Sequence, residues 1–334
     1  MTDKTRAVLL KSRPSGQISA ENFAFTEIRL PAPAEDQVLV EIKYLSVDPY
    51  MRNRMNDMKS YIEPYALGQP VSGDAVGQVL ESRSPAFRPG DWVAGMMPWQ
   101  EHAVIPGSCL HKIEFTDVSP AVYLGILGLT GLTAYFGLLE IGKPVSGETV
   151  VISAAAGAVG SIAGQIAAIK GCHVTGIAGS DEKCTYLTEI LGFRNAINYK
   201  SHPNIRKQLR QACPAGIDVY FDNVGGDISD SVMFYLNDYA RIVLCGQIAL
   251  YNSNRLSIGP RLFAQLIIHR VLMQGFIVYD YTERYPEARR QLYQWLKEGK
   301  LVNRETTIEG FDNLPGALIG LFTGNNTGKQ IVKL

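Results

Sequence analysis

Short stretches of alternating apolar and polar side chains dominate the first 120 residues. Apolar side chains occupy positions 38, 40, 42 and 44 of one such stretch, which is the period of a β-strand with one buried face. Proline and glycine separate these stretches and predict turns between them, as at Pro89 and Gly90. Further strands are predicted at 75–80, 91–96 and 101–105. The pattern predicts an irregular antiparallel β domain.

From about residue 147, strand-like apolar runs alternate with helix-like segments. Strands are predicted at 149–153, 173–178, 196–199, 218–221, 241–245 and 274–278, and helices at 159–170, 182–191, 205–212, 228–236, 261–271 and 285–300. This alternation predicts parallel strands joined by right-handed helical crossovers. Because a run such as Thr-Val-Val-Ile-Ser at 149–153 is apolar almost throughout, the sheet is expected to be buried on both faces. The fold class predicted is α/β, with a doubly wound parallel sheet.

The last residues leave the alternating pattern and end in a strand-like segment at 327–334. We interpret them as returning to the first domain. The boundaries expected are therefore 1–121 with 300–334 for the β domain and 122–299 for the doubly wound domain. A cleft between two such domains is a favoured place for a ligand.

Composition excludes several classes of function. The chain of 334 residues has 32 basic and 32 acidic side chains, so no basic excess suggests a nucleic-acid partner. No apolar run reaches the roughly 18–20 residues of a membrane span. No signal peptide is evident at the amino end, and the five scattered cysteines form no Cys-x-x-Cys pair. Reduced thiols and a cytoplasmic location are expected.

One segment has the spacing of a dinucleotide-binding loop. The sequence Ser-Ala-Ala-Ala-Gly-Ala-Val-Gly at 153–160 follows an apolar strand and precedes a helix rich in alanine. Ala155 stands where the first glycine of the G-x-G-x-x-G pattern usually stands and would permit the tight turn. Gly157 would let the backbone approach a pyrophosphate, and Gly160 would let helix and strand pack closely. Small residues also occur in helices for packing alone, but in this context, with the helix N-terminus facing the phosphates, the segment predicts a dinucleotide site.

The end of the second predicted strand indicates which dinucleotide is bound. NAD-binding proteins usually have an acidic residue there, which binds the adenine ribose. Here the strand ends in Ala178, Gly179 and Ser180, and Lys183 follows shortly after. Lysine supplies a compact positive charge for a 2′-phosphate, although a lysine at this place can also be an ordinary surface residue. The missing acid together with Lys183 predicts NADPH.

Metal ligands in a recognisable pattern are absent from the sequence. Zinc dehydrogenases need a set of cysteine and histidine ligands. The five histidines, at 102, 111, 173, 202 and 269, are not spaced against a cysteine or acid as ligand pairs, and Cys109 with His111 lacks further partners. We therefore expect an enzyme that works without a metal.

Several segments together resemble one family. They are Leu-Ser-Val-Asp-Pro-Tyr-Met-Arg at 45–52, the loop at 154–160, Ala-Gly-Ser-Asp-Glu-Lys at 178–183, Tyr-Phe-Asp-Asn-Val-Gly-Gly at 220–226, Cys-Gly-Gln at 245–247 and Gly-Lys-Gln-Ile-Val-Lys at 328–333. Their order resembles the zinc-independent medium-chain reductases, which include leukotriene B4 12-hydroxydehydrogenase/prostaglandin reductase, plant 2-alkenal reductases and bacterial curcumin reductases. The resemblance extends over essentially the whole chain. It implies a GroES-like β domain that carries the substrate site and a Rossmann domain that binds NADPH.

The resemblance also implies roles for individual residues. The implied cofactor site consists of Gly157, Ala158, Val159 and Gly160 at the pyrophosphate, Lys183 and Tyr199 at the 2′-phosphate, Asn223 at the ribose or nicotinamide, Cys245, Gly246, Gln247 and Tyr251 in the loop under the nicotinamide, Phe276, Ile277 and Val278 at its ring, and Asn326 from the other domain. Tyr50 and Tyr251 would face the substrate, and Tyr251 would be the catalytic residue. Alternatively, Tyr199 caps a strand, Asn223 is a turn residue and Tyr251 is one of 16 ordinary tyrosines.

The reaction implied is reduction of a carbon–carbon double bond conjugated to a carbonyl, in alkenals, alkenones or 15-oxoprostaglandin-like enones. Negative charge on the carbonyl oxygen would be met by hydrogen-bond donors, with Tyr251 preferred over Tyr50. The loop after Gly246 and the segment 53–64 differ from the family pattern, which leaves the substrate open. Alternatives are an NADPH:quinone oxidoreductase and a non-catalytic NADPH-binding redox sensor. By resemblance, a homodimer through the edge strand of the cofactor domain is expected.

Overall fold

The computed structural model describes residues 3–201, 204–253, 255 and 257–334. It divides into two compact units. The first consists of Met1–Gly125, Glu305–Asn326 and Gln330–Leu334, and the second of Ile126–Arg304 with Thr327–Lys329. Among the five histidines of the chain, His202 lies outside the described residues.

Strands and helices follow one another along the whole chain. The strands are β1 (Lys4–Leu10), β2 (Phe23–Arg29), β3 (Gln37–Ser46), β4 (Ser72–Ser82), β5 (Trp92–Pro98), β6 (His102–Pro106), β7 (Leu110–Lys112), β8 (Thr149–Ile152), β9 (His173–Ala178), β10 (Asn195–Asn198), β11 (Ile217–Asp222), β12 (Leu236–Leu244), β13 (Leu272–Gly275), β14 (Glu305–Glu309) and β15 (Lys329–Lys333). The α-helices are α1 (Tyr50–Arg54), α2 (Leu129–Phe136), α3 (Ala158–Ile169), α4 (Asp181–Thr185), α5 (Ile205–Ala212), α6 (Gly226–Val232), α7 (Phe263–Ile268), α8 (Tyr285–Lys297) and α9 (Leu314–Leu321).

The first unit is built on antiparallel strands. Its main sheet has the order β14-β15-β3-β4-β5-β7, β6 pairs with β3, and β1 pairs with β2 separately. The alternation predicted for β3 is present as far as Ile42, because Val38, Val40 and Ile42 are buried while the residues between them are partly exposed. It fails at position 44: Tyr44 is partly exposed and Leu45 is buried, where the register with β4 shifts. The buried apolar side chains of β3 belong to a core that also includes Trp99, Met51 and residues of α9. The prediction of an irregular antiparallel β domain is confirmed.

The second unit is a six-stranded sheet with the order β10-β9-β8-β11-β12-β13. Every adjacent pair in it is parallel, and helices connect most of the strands. All four residues of β8 are buried, as are the last four of β11, which agrees with a sheet covered on both faces. The predicted α/β class with a doubly wound sheet is confirmed.

Two predicted strands of the second unit differ from the structure by more than one residue at an end. The strand expected at 274–278 is β13, at Leu272–Gly275, because its partner β12 ends at Leu244, which pairs with Gly275. With no partner beyond that point, the chain turns into a 3-10 helix at Val278–Arg284. The strand expected at 241–245 begins five residues earlier, at Leu236, which pairs with Ile217 before the register shifts. Because the residues at 237 and 238 are polar, the hydrophobicity pattern does not predict this first part of the strand.

Predicted helices also differ at their ends. The helix expected at 182–191 begins at Asp181, because the Ser180 hydroxyl accepts a hydrogen bond from the Lys183 N–H at 3.3 Å and caps it. It continues as a π-helical segment at Tyr186–Ile190. In the described parts of the chain, no helix is both long enough and apolar enough to cross a membrane. Each of the five cysteines is a free thiol.

Candidate cofactor and active site

The carboxyl ends of three neighbouring strands carry most of the predicted site. β8, β11 and β12 are adjacent in the sheet, and parallel strands end at the same edge. The glycine loop at 153–160 follows β8, the loop at 223–226 follows β11, and the loop at 245–251 follows β12. The second unit therefore brings these three loops together, as a dinucleotide site requires.

The glycine loop leads directly into α3, whose N-cap is Gly157. A β-carbon at Gly160 would lie 2.4 Å from the carbonyl oxygen of Ala154, so close packing alone requires glycine there. At Gly157 the nearest protein atom to such a carbon is the same oxygen, at 3.1 Å. The packing of the protein itself therefore requires glycine less strictly at 157 than at 160, and the predicted approach of a pyrophosphate to Gly157 stays a prediction.

Ala155 is a central residue of the turn between β8 and α3, because the N–H of Gly157 donates to the carbonyl oxygen of Ala154 at 2.9 Å. The residue with left-handed backbone is its neighbour Ala154, with φ 47°. Ala155 is fully buried, and its β-carbon would be 2.8 Å from one added at Gly176. A small side chain is also needed at 155 because the loop packs there against Gly176 of β9.

The tips of β9 and β10 bring two lysines and a tyrosine together. Burial and the nearby Lys200 charge lower the pKa of Lys183, so the two ammonium groups repel each other. Tyr199 and Lys200 both lie against Gly179, where an added β-carbon would be 3.3 Å from each side chain. Lys183 and Tyr199 were predicted at a 2′-phosphate, and the structure adds Lys200 to them. Its position directly after Tyr199, at the end of the strand next to β9, is the signal that could have identified it.

Asn223 is held against the start of the glycine loop. Its side-chain amide donates to the carbonyl oxygen of Ser153 at 2.8 Å, and its backbone N–H donates to the Ser153 hydroxyl, also at 2.8 Å. Asn223 therefore joins the loop after β11 to the loop after β8. Its predicted contact with ribose or nicotinamide stays a prediction.

The loop after β12 folds back on its own tyrosine. The hydroxyl of Tyr251 accepts a hydrogen bond from the backbone N–H of Gln247 at 3.1 Å. A β-carbon at Gly246 would lie 3.4 Å from the same oxygen. Burial, and secondly the Asp222 carboxylate, raise the pKa of the Cys245 thiol to about 12. The thiol is therefore protonated at neutral pH and is a poor nucleophile.

Phe276, Ile277 and Val278 follow β13. The ring of Phe276 packs against Gly137, where an added β-carbon would be 2.5 Å from the ring. Val278 is buried and Ile277 is partly exposed. These contacts hold the segment on the second unit, and its predicted backbone contacts with a nicotinamide ring stay a prediction.

Two predicted site residues, Tyr50 and Asn326, belong to the first unit. Tyr50 is the first residue of α1 and packs, partly buried, against the core of that unit. Soon after Asn326, the backbone N–H of Gly328 donates to the carbonyl oxygen of Ala156 at 2.7 Å. Gly328 also pairs with Gly157 in an isolated parallel bridge, so the segment Thr327–Lys329 lies on the glycine loop within the second unit.

The sequence motifs predict no role for Asp222 or Ser153, although both residues lie within or beside those motifs. Both are almost completely buried at the edge where the three loops meet. Among the described residues, no group of three or more histidine, cysteine, aspartate or glutamate side chains is arranged to hold a metal ion.

Two family models match the chain. Residues 6–113 match the model described as the N-terminal domain of oxidoreductase, and residues 158–295 match the model described as zinc-binding dehydrogenase. The two matches fall on the first and second units respectively, and the described residues of the second match include no metal cluster.

Full-length relatives are found among known proteins. A Bacillus subtilis protein with the provisional name NADP-dependent oxidoreductase YfmJ is 54% identical, over 100% of this chain and 99% of its own. The NADPH-dependent curcumin reductase of Escherichia coli is 43% identical, over 99% and 97%. The NADP(+)-dependent 2-alkenal reductase of Nicotiana tabacum is 42% identical, over 98% and 96%. The crystal structure of CurA from Vibrio vulnificus in complex with NADPH is 46% identical, with a TM-score of 0.94 and 98% of each chain covered.

Proposed function

Because this chain belongs to the medium-chain dehydrogenase/reductase family, in the group of the prostaglandin, 2-alkenal and curcumin reductases, we propose that it reduces the carbon–carbon double bond of α,β-unsaturated aldehydes and ketones. It is an NADP-dependent oxidoreductase. The observation that carries the proposed reaction is the hydroxyl of Tyr251, which the backbone of Gln247 holds in the loop after β12.

NADPH is the cofactor, and the residues of the second unit fit it. The helix N-terminus at Gly157 suits a pyrophosphate, and the mutual repulsion of Lys183 and Lys200 would be relieved by a dianionic 2′-phosphate. Tyr199 would lie beside that phosphate. When bound, NADPH supplies a hydride for the carbon β to the substrate carbonyl.

The loops after β11, β12 and β13 would hold the nicotinamide half. We assign this to Asn223, Cys245, Gly246 and Gln247, with backbone groups of Phe276, Ile277 and Val278 beside the ring. Ala158 and Val159 would support the pyrophosphate from the first turn of α3. Asn326 of the first unit is proposed as a further cofactor residue.

Tyr251 is proposed as the catalytic donor. Its oxygen accepts a hydrogen bond from Gln247, and that bond orients the phenol without using its proton. A hydroxyl positioned in advance can donate to the carbonyl oxygen as negative charge develops there. The same tyrosine can then deliver a proton toward the α-carbon. Tyr50 of the first unit is proposed to bind the apolar part of the substrate, because an aromatic ring suits a flat enone.

The reaction is tested by following NADPH absorbance at 340 nm with purified protein. The panel contains 2-alkenals, alkenones, a 15-oxo-type enone and 1,4-benzoquinones, with saturated aldehydes as controls. We expect oxidation of NADPH with the enals and enones, and a saturated product by mass spectrometry. Turnover restricted to quinones would replace the proposal with a quinone oxidoreductase, and tight NADPH binding with no turnover would indicate a redox sensor.

We also propose that two copies of this chain form a homodimer through β13. In the described sheet β13 pairs only with β12, so its outer backbone groups are available to another strand. α7 precedes it and has no buried residue. Large apolar side chains are exposed beside this edge: Phe263, Ile267, Ile268 and Leu272. A two-fold pairing of β13 with its copy would extend the sheet and cover these side chains.

A further inference from the structure

Asp222, the last residue of β11, carries a buried carboxylate with many hydrogen-bond donors around it. Only 1% of the residue is exposed. Its Oδ1 accepts hydrogen bonds of 2.9–3.0 Å, and these come from the hydroxyls of Ser153 and Tyr220 and the backbone N–H groups of Val224 and Gly225. Its Oδ2 accepts from the Ser229 hydroxyl at 2.5 Å. These donors compensate the cost of burying the carboxylate.

The same residue connects all three loops at the edge of the sheet. The Ser153 hydroxyl donates to Asp222 and accepts from the backbone N–H of Asn223, so it ties the glycine loop to the loop after β11. The backbone carbonyl oxygen of Asp222 accepts from the N–H groups of Cys245 and Gly246, at 2.9 and 3.0 Å. The loop after β12 is thereby held at the same point.

We propose that Asp222 is a positioning residue, which sets the relative placement of the three loops before NADPH binds. Its carboxylate acts through the Ser153 hydroxyl and the backbone N–H groups of Val224 and Gly225. The bonds from Cys245 and Gly246 go to its backbone carbonyl oxygen and are kept with any side chain at 222. The inference rests on the proposed assignment of these loops to the cofactor. Small displacements of positioning groups reduce binding and rate strongly. A buried hydrogen-bond network in which each polar group has a partner is suited to this role, because it stabilises one arrangement of the residues in it.

The strand also provides a matched control, at its opposite end. Asp218 accepts hydrogen bonds from the backbone N–H of Thr149 at 2.8 Å and from the side-chain amide of Asn237 at 2.7 Å. It therefore holds the amino ends of β8 and β11, away from the three loops. Removal of its carboxylate weakens the same sheet without touching the proposed site.

The experiment compares Asp222→Ala, Asp222→Asn, Ser153→Ala and Asp218→Ala in the full-length protein. NADPH binding is measured by fluorescence titration without substrate, and Tm is measured without NADPH. We expect Asp222→Ala to raise the Kd for NADPH by about tenfold or more, and Ser153→Ala by about threefold to tenfold. The Kd of Asp222→Asn for NADPH should stay within about threefold of the parental Kd, because the amide oxygen can replace Oδ1 and the amide nitrogen can donate to Ser229. Asp218→Ala should lower Tm and leave the Kd unchanged.

The proposal is overturned if Asp222→Ala and Asp218→Ala change the Kd equally, or if Ser153→Ala binds NADPH like the parent. Should Asp222→Ala fail to fold, the Kd of Ser153→Ala, compared with that of Asp218→Ala, decides the question. Because no enone is present in the titration, a failure of the proposed reaction leaves this comparison unaffected, and the two results are distinguishable.

Discussion

A β-carbon at Gly160 would lie 2.4 Å from the carbonyl oxygen of Ala154, whereas one at Gly157 would be 3.1 Å from that same oxygen. Two glycines of one loop are therefore required to different degrees by the protein's own packing. Gly160 lies in the first turn of α3, where the helix packs against the glycine loop, and Gly157 is the N-cap of this helix, where a pyrophosphate is proposed to bind.

This difference predicts different results for two alanine substitutions. Gly160→Ala should destabilise the protein by about 1–3 kcal/mol, because the added methyl group overlaps backbone atoms that cannot move far. Gly157→Ala should lower Tm less than Gly160→Ala does, because its methyl group needs only a small shift of the Ala154 carbonyl oxygen, and it should raise the Kd for NADPH by about tenfold. Thermal unfolding without NADPH and titration with NADPH measure the two effects. A Gly157→Ala protein with parental affinity would contradict the role assigned to this glycine.

Lys183 and Lys200 should determine the preference for NADPH over NADH. Replacement of either lysine by alanine removes one charge from the proposed 2′-phosphate site, and we expect kcat/KM with NADPH to fall by about 10- to 100-fold. Activity with NADH, which lacks this phosphate, serves as the internal control and should change little. Equal losses with both cofactors would show that the lysines do not contact the phosphate.

Tyr251→Phe removes one hydroxyl and keeps the ring. If that hydroxyl donates to the carbonyl oxygen in the transition state, kcat should fall by about 100-fold while the Kd for NADPH stays near the parental value. Tyr50→Phe provides the comparison, because a substrate-binding ring retains its packing without the hydroxyl. Single-turnover reduction of an enal separates the chemical step from product release. Full kcat in Tyr251→Phe would exclude the proposed donor.

The ion pair of Glu148 and Arg241 should make the free energy of unfolding depend on pH in the acid range. Arg241 donates to the carboxylate at 2.6 and 2.8 Å, and both side chains are largely buried. Burial raises the pKa of Glu148, but hydrogen bonds from Arg241 and Val145 and the Arg241 charge outweigh it, so the pKa lies below its ordinary 4.5. Because the folded-state pKa is lowered, this stabilisation is complete above pH 4.5 and disappears as pH falls through the lower folded-state value.

Glu148→Gln tests this expectation. At pH 7 the variant should be less stable than the parent by about 1–3 kcal/mol, and the difference should shrink as the pH falls below 4.5. Urea unfolding at a series of pH values gives both quantities. The parental Kd for NADPH should be retained, because the pair lies at the amino end of β8. A constant difference down to about pH 3 would contradict the assignment.

The proposed dimer predicts that a charge on α7 separates the copies. Ile267 is 77% exposed in the single chain, and Ile267→Asp would bury an unpaired carboxylate in the interface. Sedimentation should show a dimer for the parent and a monomer for this variant. Ile190→Asp places the same charge on another exposed apolar position of the second unit and should remain dimeric. A monomeric parent protein would overturn the proposal.

Much of the fold could be predicted because local patterns reflect burial directly. The alternation at 38–44 predicted β3, whose buried face follows it as far as Ile42, and the apolar run at 149–153 predicted β8, which is buried throughout. The ends of β12 and β13 could not be predicted. They depend on which residues find a hydrogen-bonding partner on a neighbouring strand.

The sequence by itself determined the doubly wound fold and, through the spacing at 153–160 and the missing acid after β9, the NADPH cofactor. Both depend on local composition and short spacing. Only the tertiary structure revealed Lys200 beside Lys183, the different requirements for Gly157 and Gly160, and the position of Asp222 among three loops. Such relationships join residues that are far apart in the chain, and they exist only because parallel strands end together at one edge of the sheet.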